Sequence, residues 1–281
     1  MGVVSAPDRP AGRSATLRAV PVASFADEHG LALLQPAGVR APESIARIGA
    51  LRPDLGVLAD FGQIVPAALL DVAPHGMLNL HPSLLPRHRG ATPIPAAILA
   101  GDGQTGVSLF RMDAGLDSGP VLATVTAPLT GTETSPELEA TLAALAAGLL
   151  GRSLGPWLRG ELTAQPQPTD GLTLTRPLRR ADGLLDPGRP TADLERQVRA
   201  YLGWPGSFIE TALGRLVVQR ATAGPPLGLP AGTLAAAGTG LALATIDGSL
   251  VLDEVQLAGG RSMSAAELRR GRPAIVSPPA G

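Results

Sequence analysis

The chain has 281 residues, 44% of them apolar, and a formal net charge of −1 at pH 7, as expected for a folded protein of one large or two modest domains. It contains no cysteine and no lysine, which excludes disulfides, thiolate nucleophiles, cysteine-ligated zinc and lysine Schiff bases. Its apolar stretches are too short for a membrane-spanning helix and its N-terminus does not resemble a signal peptide, so we expect a cytoplasmic protein with no membrane association.

Strand and helix candidates alternate through the first half of the chain. Residues 1–5 have the character of a strand end, and further apolar runs of strand length lie at 55–59, 76–80, 106–112 and 121–127. Helix candidates, several with proline at the first helical position, lie at 24–29, 42–50, 66–70 and 93–100. This alternation predicts an α/β domain, residues 1–160, with a doubly wound and mostly parallel sheet. A helix closes it, with a capping signal that is either Thr134 with Glu137 at the third position or Ser135 with Pro136 first.

The second half of the chain differs from the first in composition and in the order of its predicted elements. Residues 161–176 are rich in Pro, Gln and Thr without periodicity, which is typical of a linker. Beyond them, helices are predicted at 191–202 and 264–270, and short strands at 207–213, 215–221, 233–237, 241–246 and 250–257. Asp247-Gly248 is the signal of a type I′ hairpin turn. Residues 177–281 are therefore predicted to form a small OB-like β-barrel domain.

Two polar residues end the strand at 76–80. Because alternate strand residues face the same side, Asn79 and His81 are expected to project together while the intervening leucines pack away from them. Pro82 then stops the strand. Open α/β sheets bind ligands at the carboxyl ends of their strands, so this position favours a functional site.

An amide, an imidazole and a carboxylate suit acyl-type transfer without a covalent intermediate. When an amine attacks a formyl carbon, the amide N–H of Asn79 and a protonated His81 could donate to the developing oxyanion. Asp117, in the sequence Gly-Leu-Asp-Ser-Gly, is a credible partner that raises the pKa of His81. This chemistry requires no metal.

These residues resemble a family signature. Asn79-x-His81, the run Ser83-Leu84-Leu85-Pro86 followed by Arg89-Gly90, and Gly115-Leu116-Asp117-Ser118-Gly119 are similar to the motifs of formyltransferases that use 10-formyltetrahydrofolate. The resemblance implies that the catalytic residues are Asn79, His81 and Asp117. It further implies a folate-binding loop formed by Ser83, Leu84, Leu85 and Pro86, with residues 55–62 beside the pterin pocket.

The resemblance extends to those members that formylate the α-amino group of methionyl-initiator tRNA for translation initiation. The run from Pro7 to Arg13 is similar to their early loop, and Trp204-Pro205 to the start of their C-terminal domain. It implies initiator tRNA and a small folate as partners, and we expect a monomer. Candidate phosphate contacts are Arg87, Arg89, Arg176, Arg179 and Arg180.

Two alternatives stay open. One is formyl transfer to another amine, such as a nucleotide-linked amino sugar, and the other is a catalytically silent truncated paralogue. Family members begin with a strand, a glycine-containing turn and a helix before the position of Met1, so we expect an N-terminally truncated chain that lacks the first strand. The isolated histidines His29, His75 and His88 are assigned no role, and Asp113 is interpreted as a turn former.

Overall fold

The computed structural model describes residues 1–11 and 16–276, and its internal contacts divide the chain into two units. The first comprises Met1–Ala91, Gly106–Val125 and Ala144–Leu174, and the second comprises Thr92–Thr105, Thr126–Ala143 and Thr175–Gly281. The domain boundaries at residues 160 and 176 stay a prediction. Within the described ranges, no helix combines the length and apolar character needed to cross a bilayer. Of the early loop at 7–13, the last two residues lie outside the described part of the chain.

The chain up to residue 90 forms short strands and helices. The strands are β1 (Gly2–Val4), β2 (Arg9–Ala11), β3 (Thr16–Arg18), β4 (Ala32–Leu34), β5 (Gly56–Leu58), β6 (Met77–His81) and β7 (Arg89–Gly90). The helices are α1 (Pro21–Glu28), α2 (Pro42–Ala50) and α3 (Ala67–Leu70). Helix α2 begins where predicted, because Pro42 occupies the first helical turn after an extended Ala41. Strand β1 pairs in parallel with β4.

A four-stranded sheet carries the predicted polar pair. It has the order β5-β6-β8-β9, with β8 at Gln104–Arg111 and β9 at Val121–Pro128. Strands β5 and β6 are parallel, whereas β6 and β8 are antiparallel. The intervening helix α4 (Pro93–Ala100) belongs to the second unit, so the connection from β6 to β8 is not the crossover that would make these strands parallel.

The rest of the chain forms long helices and an antiparallel sheet. The helices are α5 (Ser135–Leu158), α6 (Thr191–Ala200) and α7 (Ala265–Gly271). The strands are β10 (Leu174–Thr175), β11 (Ser207–Thr211), β12 (Gly214–Gly224), β13 (Leu234–Ala237), β14 (Gly240–Ala244), β15 (Ser249–Leu257) and β16 (Met263–Ser264). The sheet order is β11-β12-β15-β14-β13, with β16 beside β15. A register irregularity at Arg220 in β12 promotes the curl of this sheet.

The predicted fold class is confirmed: an α/β portion containing parallel strands is followed by a curled antiparallel sheet. The core of the second unit is aliphatic and includes the fully buried Leu194, Leu216, Leu241 and Leu250. Of the two capping alternatives at α5, the structure shows the contact of Thr134 with Glu137, because the backbone N–H and hydroxyl of Thr134 both donate to the Glu137 carboxylate.

The predicted type I′ turn is wrong. Strands β14 and β15 are joined through four residues, 245–248, and neither Asp247 nor Gly248 is among the described residues with positive φ that such a turn requires. The Asp247 carboxylate instead accepts hydrogen bonds from the backbone N–H and hydroxyl of Thr191, 2.9 and 2.8 Å away. It therefore satisfies donors at the start of α6, a tertiary role that a local turn signal does not reveal.

Candidate active site

Strand β6 positions Asn79 and His81 on one face of the sheet. The alternating residues Leu78 and Leu80 are buried, as predicted. His81 is buried at 4% exposure, whereas Asn79 is half-buried. Among the described residues, the Asn79 amide has no hydrogen-bond partner, so its N–H groups are available to a ligand.

The two nitrogens of the His81 ring have different surroundings. Nε2 lies 2.9 Å from the backbone carbonyl of His88. A carbonyl oxygen only accepts, so Nε2 carries the hydrogen and donates it. In the neutral ring, Nδ1 therefore has a free lone pair, and it lies 3.7 Å from Oδ2 of Asp117. The structure thus brings His81 and Asp117 together from separate segments, while their catalytic roles stay a prediction.

Asp117 lies in the loop between β8 and β9. Its backbone is left-handed, with φ of 47°, and its Oδ2 accepts a hydrogen bond of 2.7 Å from the backbone N–H of Gly90. Gly119 is required for steric reasons, because a Cβ there would lie 1.8 Å from the carbonyl oxygen of Arg111. The loop conformation is therefore closely constrained where it presents the carboxylate to His81.

Burial lowers the pKa of the His81 imidazole below its usual value of 6.5, although the Asp117 carboxylate and the His88 carbonyl each raise that pKa. The nearby His88 ring lowers it further. Asp117 therefore acts in the predicted direction, but desolvation of the ring outweighs the carboxylate, so the net shift of the His81 pKa is downward. The resting imidazole is neutral at pH 7 and is suited to accept a proton.

The run from Ser83 to Pro86 forms an ordered loop after β6. The Ser83 hydroxyl donates to the Arg87 carbonyl, 2.6 Å away. Ser108 on β8 bridges the loop, because its hydroxyl donates to the Ser83 carbonyl and accepts from the N–H of Leu85. These bonds fix the loop backbone beside His81; its folate-binding role stays a prediction.

Asp113 has the geometry of a turn former. Its Oδ1 accepts hydrogen bonds from the N–H of Gly115 and the hydroxyl of Ser118, at 3.0 and 2.8 Å. This arrangement stabilises the loop that presents Asp117.

A cavity of about 250 Å³ adjoins this loop within the first unit. Apolar side chains contribute much of its lining, namely those of Ala67, Leu70, Met77, Met112 and Ala114. The polar residues Asp71, Asp113 and Arg111 complete it, together with Gly76. Polar and apolar groups thus share the lining about equally, and a small-molecule site likewise combines apolar contacts with a few oriented polar groups.

The candidate phosphate contacts differ in their partners. Arg89 donates through Nε and a terminal nitrogen to Oε1 of Gln167, at 3.0 and 2.7 Å. Arg176 forms a two-pronged ion pair with Asp182, at 2.8 and 2.6 Å. Arg179 and Arg180 are exposed, and the Arg180 guanidinium lies 5.7 Å from the ring centre of Trp204. Arg87, by contrast, is half-buried.

Sequence reasoning missed His88, which was assigned no role. Its ring is buried, its φ is 57°, and its carbonyl oxygen sets the tautomer of His81. Its N–H donates to the hydroxyl of Thr173, 2.7 Å away. Any residue type can supply a backbone carbonyl as an acceptor, so the sequence carries no signal for this role. The one available hint was that His88 lies directly before Arg89-Gly90 of the motif.

Comparison with known proteins supports the predicted resemblance. A model of the formyl transferase family matches residues 1–154, and the formyl transferase C-terminal domain matches residues 177–273. A curated relative from Halorhodospira halophila, named methionyl-tRNA formyltransferase, is 44% identical over 99% of this chain and 90% of its own length. A relative of the same name from Myxococcus xanthus is 42% identical over 96% of this chain and 87% of its own.

A solved structure shares the fold. HypX from Aquifex aeolicus, in complex with tetrahydrofolic acid, has a TM-score of 0.62 and 20% sequence identity to this chain. The match covers 86% of this chain but only 43% of HypX. With a family model matching more than half of its residues and relatives above 40% identity over nearly its full length, the chain belongs to the formyl transferase family.

Proposed function

We propose that the chain transfers the formyl group of 10-formyltetrahydrofolate to the α-amino group of methionyl-initiator tRNA. The identity of 42–44% to methionyl-tRNA formyltransferases over nearly the whole chain supports this acceptor. One geometric observation carries the chemistry: a buried imidazole nitrogen with a free lone pair lies 3.7 Å from a carboxylate at the end of a sheet strand. The acceptor also implies activity in the cytoplasm, where initiator tRNA is used.

His81 acts first as a base in this proposal. As the α-amine attacks the formyl carbon and the new C–N bond forms, the amine proton passes to Nδ1 of His81. The positive charge that develops on the ring is stabilised by Asp117, while Nε2–H stays hydrogen-bonded to the His88 carbonyl. When the bond from the formyl carbon to N10 of the folate breaks, the same proton returns from Nδ1 to N10, so protons balance over the reaction.

Asn79 stabilises the transient oxyanion. The formyl oxygen becomes negative as the amine adds, and the uncommitted amide N–H groups of Asn79 lie on the same strand face as His81. The protonated Nδ1 offers a second N–H donor to the oxyanion at this stage. It lies 3.7 Å from Oδ2 of Asp117, which is beyond hydrogen-bond distance, so the carboxylate does not occupy this donor.

The folate is proposed to bind beside this chemistry. The pterin ring would contact the apolar side chains of this cavity, and the carboxylates of Asp71 and Asp113 in its lining suit the ring's amino groups. Met112 and Asp113 lie in the same loop as Asp117, so a ring held there would contact the loop that carries the carboxylate. The Ser83 to Pro86 loop is proposed to bind the remainder of the folate.

The tRNA is proposed to contact exposed groups of the second unit. Arg179 and Arg180 are suited to phosphates, and Trp204, with 55% of its surface exposed, offers an aromatic face for a nucleotide. Arg176 is less suited to this role because Asp182 already pairs with its guanidinium.

A single transfer assay tests the proposed function. The protein is incubated at fixed salt with folate carrying a labelled formyl group and, separately, with methionylated initiator tRNA, methionylated elongator tRNA or a nucleotide-linked amino sugar. Label on the initiator tRNA alone is the expected result. Label on the amino sugar, equal label on both tRNAs, or no label on any acceptor would overturn the assignment.

A further inference from the structure

Residues 155–176 lie between the two family-model matches, which end at residue 154 and resume at residue 177. In this segment, Gln167 is half-buried and reaches the loop that carries Asp117. Its side-chain nitrogen donates to two carbonyl oxygens of that loop, those of Asp117 at 2.8 Å and Gly119 at 2.7 Å. One amide thus bridges both sides of the catalytic loop.

The opposite end of the same side chain is held equally well. Oε1 of Gln167 accepts two hydrogen bonds from the Arg89 guanidinium, at 3.0 and 2.7 Å. Both ends of the amide are therefore specified, because reversing it would set its oxygen against two carbonyls and its NH₂ group against a cation. A side chain of the same length without an amide group could not form these four hydrogen bonds.

The loop needs such support at this point. Asp117 has a left-handed backbone, which non-glycine residues adopt only when their surroundings impose it. Gly90, which follows Arg89, donates its N–H to Oδ2 of the same aspartate. The backbone of Asp117 is thus tied to Arg89 through Gln167, and its carboxylate is tied directly to Gly90.

The same segment also supports the other side of the imidazole. The Thr173 hydroxyl accepts from the N–H of His88, whose carbonyl oxygen in turn accepts from Nε2 of His81. The Thr173 carbonyl accepts from the N–H of Arg89, 3.0 Å away. Gln167 therefore hydrogen-bonds to Asp117, and Thr173 hydrogen-bonds to His88. Asp117 and His88 in turn contact the His81 ring.

We propose that Gln167 is a positioning residue for formyl transfer: its carboxamide holds the Asp117 loop at the distance from His81 at which the carboxylate stabilises the protonated ring. The segment predicted to be a linker is, in this proposal, a strap for the catalytic loop. The inference rests on the proposed function for its kinetic consequence, but its effect on the ring is measurable without any substrate.

The test compares Gln167→Ala with Gln165→Ala as a matched control. Gln165 lies in the same segment, its side chain is exposed, and its backbone pairs with Val121 through groups that the substitution leaves intact. Initial rates with varied folate and varied tRNA give kcat and KM, and NMR titration of the His81 ring gives its midpoint. Gln167→Met, which keeps the size but has no donor, serves in place of Gln167→Ala if that variant unfolds.

We expect Gln167→Ala to lower kcat by about tenfold to a hundredfold, with KM for both substrates changed less than about threefold. The His81 titration should move to lower pH, because the Asp117 carboxylate raises the pKa of the ring and the His88 ring opposes it. Gln165→Ala should match the wild type in both measurements.

A folded Gln167 variant with wild-type kcat and an unmoved His81 titration would overturn the proposal, as would a loss of kcat without any movement of that titration. Wild-type protein that formylates no initiator tRNA would instead refute the proposed function. In that case the substrate-free titration still decides whether Gln167 holds the aspartate near the ring.

Discussion

Replacing Asp117 by asparagine removes a charge and almost no volume. Asparagine keeps an oxygen that can accept the N–H of Gly90, and its main-chain carbonyl still accepts from Gln167, so the loop should keep its shape. Asp117→Ala would remove the bond to Gly90 as well and is the less specific test. The asparagine variant therefore isolates the electrostatic contribution to the protonated ring.

The magnitude follows from the separation of the two groups. Nδ1 and Oδ2 are 3.7 Å apart, and the side chains of His81 and Asp117 are 5% and 14% exposed. Opposite unit charges at about 4 Å attract by about 4 kcal/mol at an effective dielectric constant of about 20. Solvent reaches Asp117 to a small extent, so we take about 2–4 kcal/mol, which corresponds to about 30- to 900-fold in rate.

Single-turnover formylation of initiator tRNA measures this loss, and fluorescence titration measures folate affinity. We expect Asp117→Asn to lose the rate while folate Kd changes by less than about twofold, because the carboxylate acts on the charge of His81. The acid limb of its pH–rate profile should move to lower pH, since the group that raises the pKa of His81 is gone. Asp170→Asn, an exposed aspartate of the same unit, is the control. Equal losses of rate and folate affinity, or an unshifted profile, would refute the reasoning.

Three further predictions concern other parts of the account. Asn79→Ala should lower kcat by about 10²- to 10³-fold in rapid-quench assays with an unchanged Tm; a retained rate would remove Asn79 from the oxyanion site. Trp204→Ala should raise the KM for tRNA by about tenfold and leave that for folate unchanged, and an unaffected tRNA KM would contradict the stacking role. Because the pKa of folded His81 lies below 6.5, the folded ring binds fewer protons than the unfolded one, and its contribution to the free energy of unfolding should be lost as pH falls below 6.5. Urea titrations of His81→Gln from pH 8 to about pH 5 should show a shallower decline than wild type, and equal slopes would contradict this assignment.

Local signals were enough to predict where many elements begin. Pro42 and Pro93 each start a helix at the predicted residue, because proline suits the first helical turn and its effect does not depend on distant contacts. The alternation along β6 likewise predicted the shared face of Asn79 and His81. The strand direction of β8 was not predictable in this way, since it depends on which unit the connecting helix joins.

Two of the features that sequence reasoning missed are non-local. The motif paired Asp117 with His81, but the net direction in which the pKa of the imidazole shifts depends on how completely packing removes water from the ring. The aperiodic stretch around Gln167 is typical of a linker, yet its amide bonds to a loop about 50 residues earlier in the chain. Neither fact has a periodicity or a local composition that would reveal it.

The central claim is that Asn79, His81 and Asp117 surround one transient negative oxygen. A crystal structure of the protein with a stable formyl-folate analogue tests it most directly. We expect the formyl oxygen within about 3.2 Å of the Asn79 amide nitrogen and close to Nδ1 of His81, with the pterin ring in the cavity beside Met112. A formyl group bound away from the end of β6, or turned so that neither nitrogen faces its oxygen, would contradict the account.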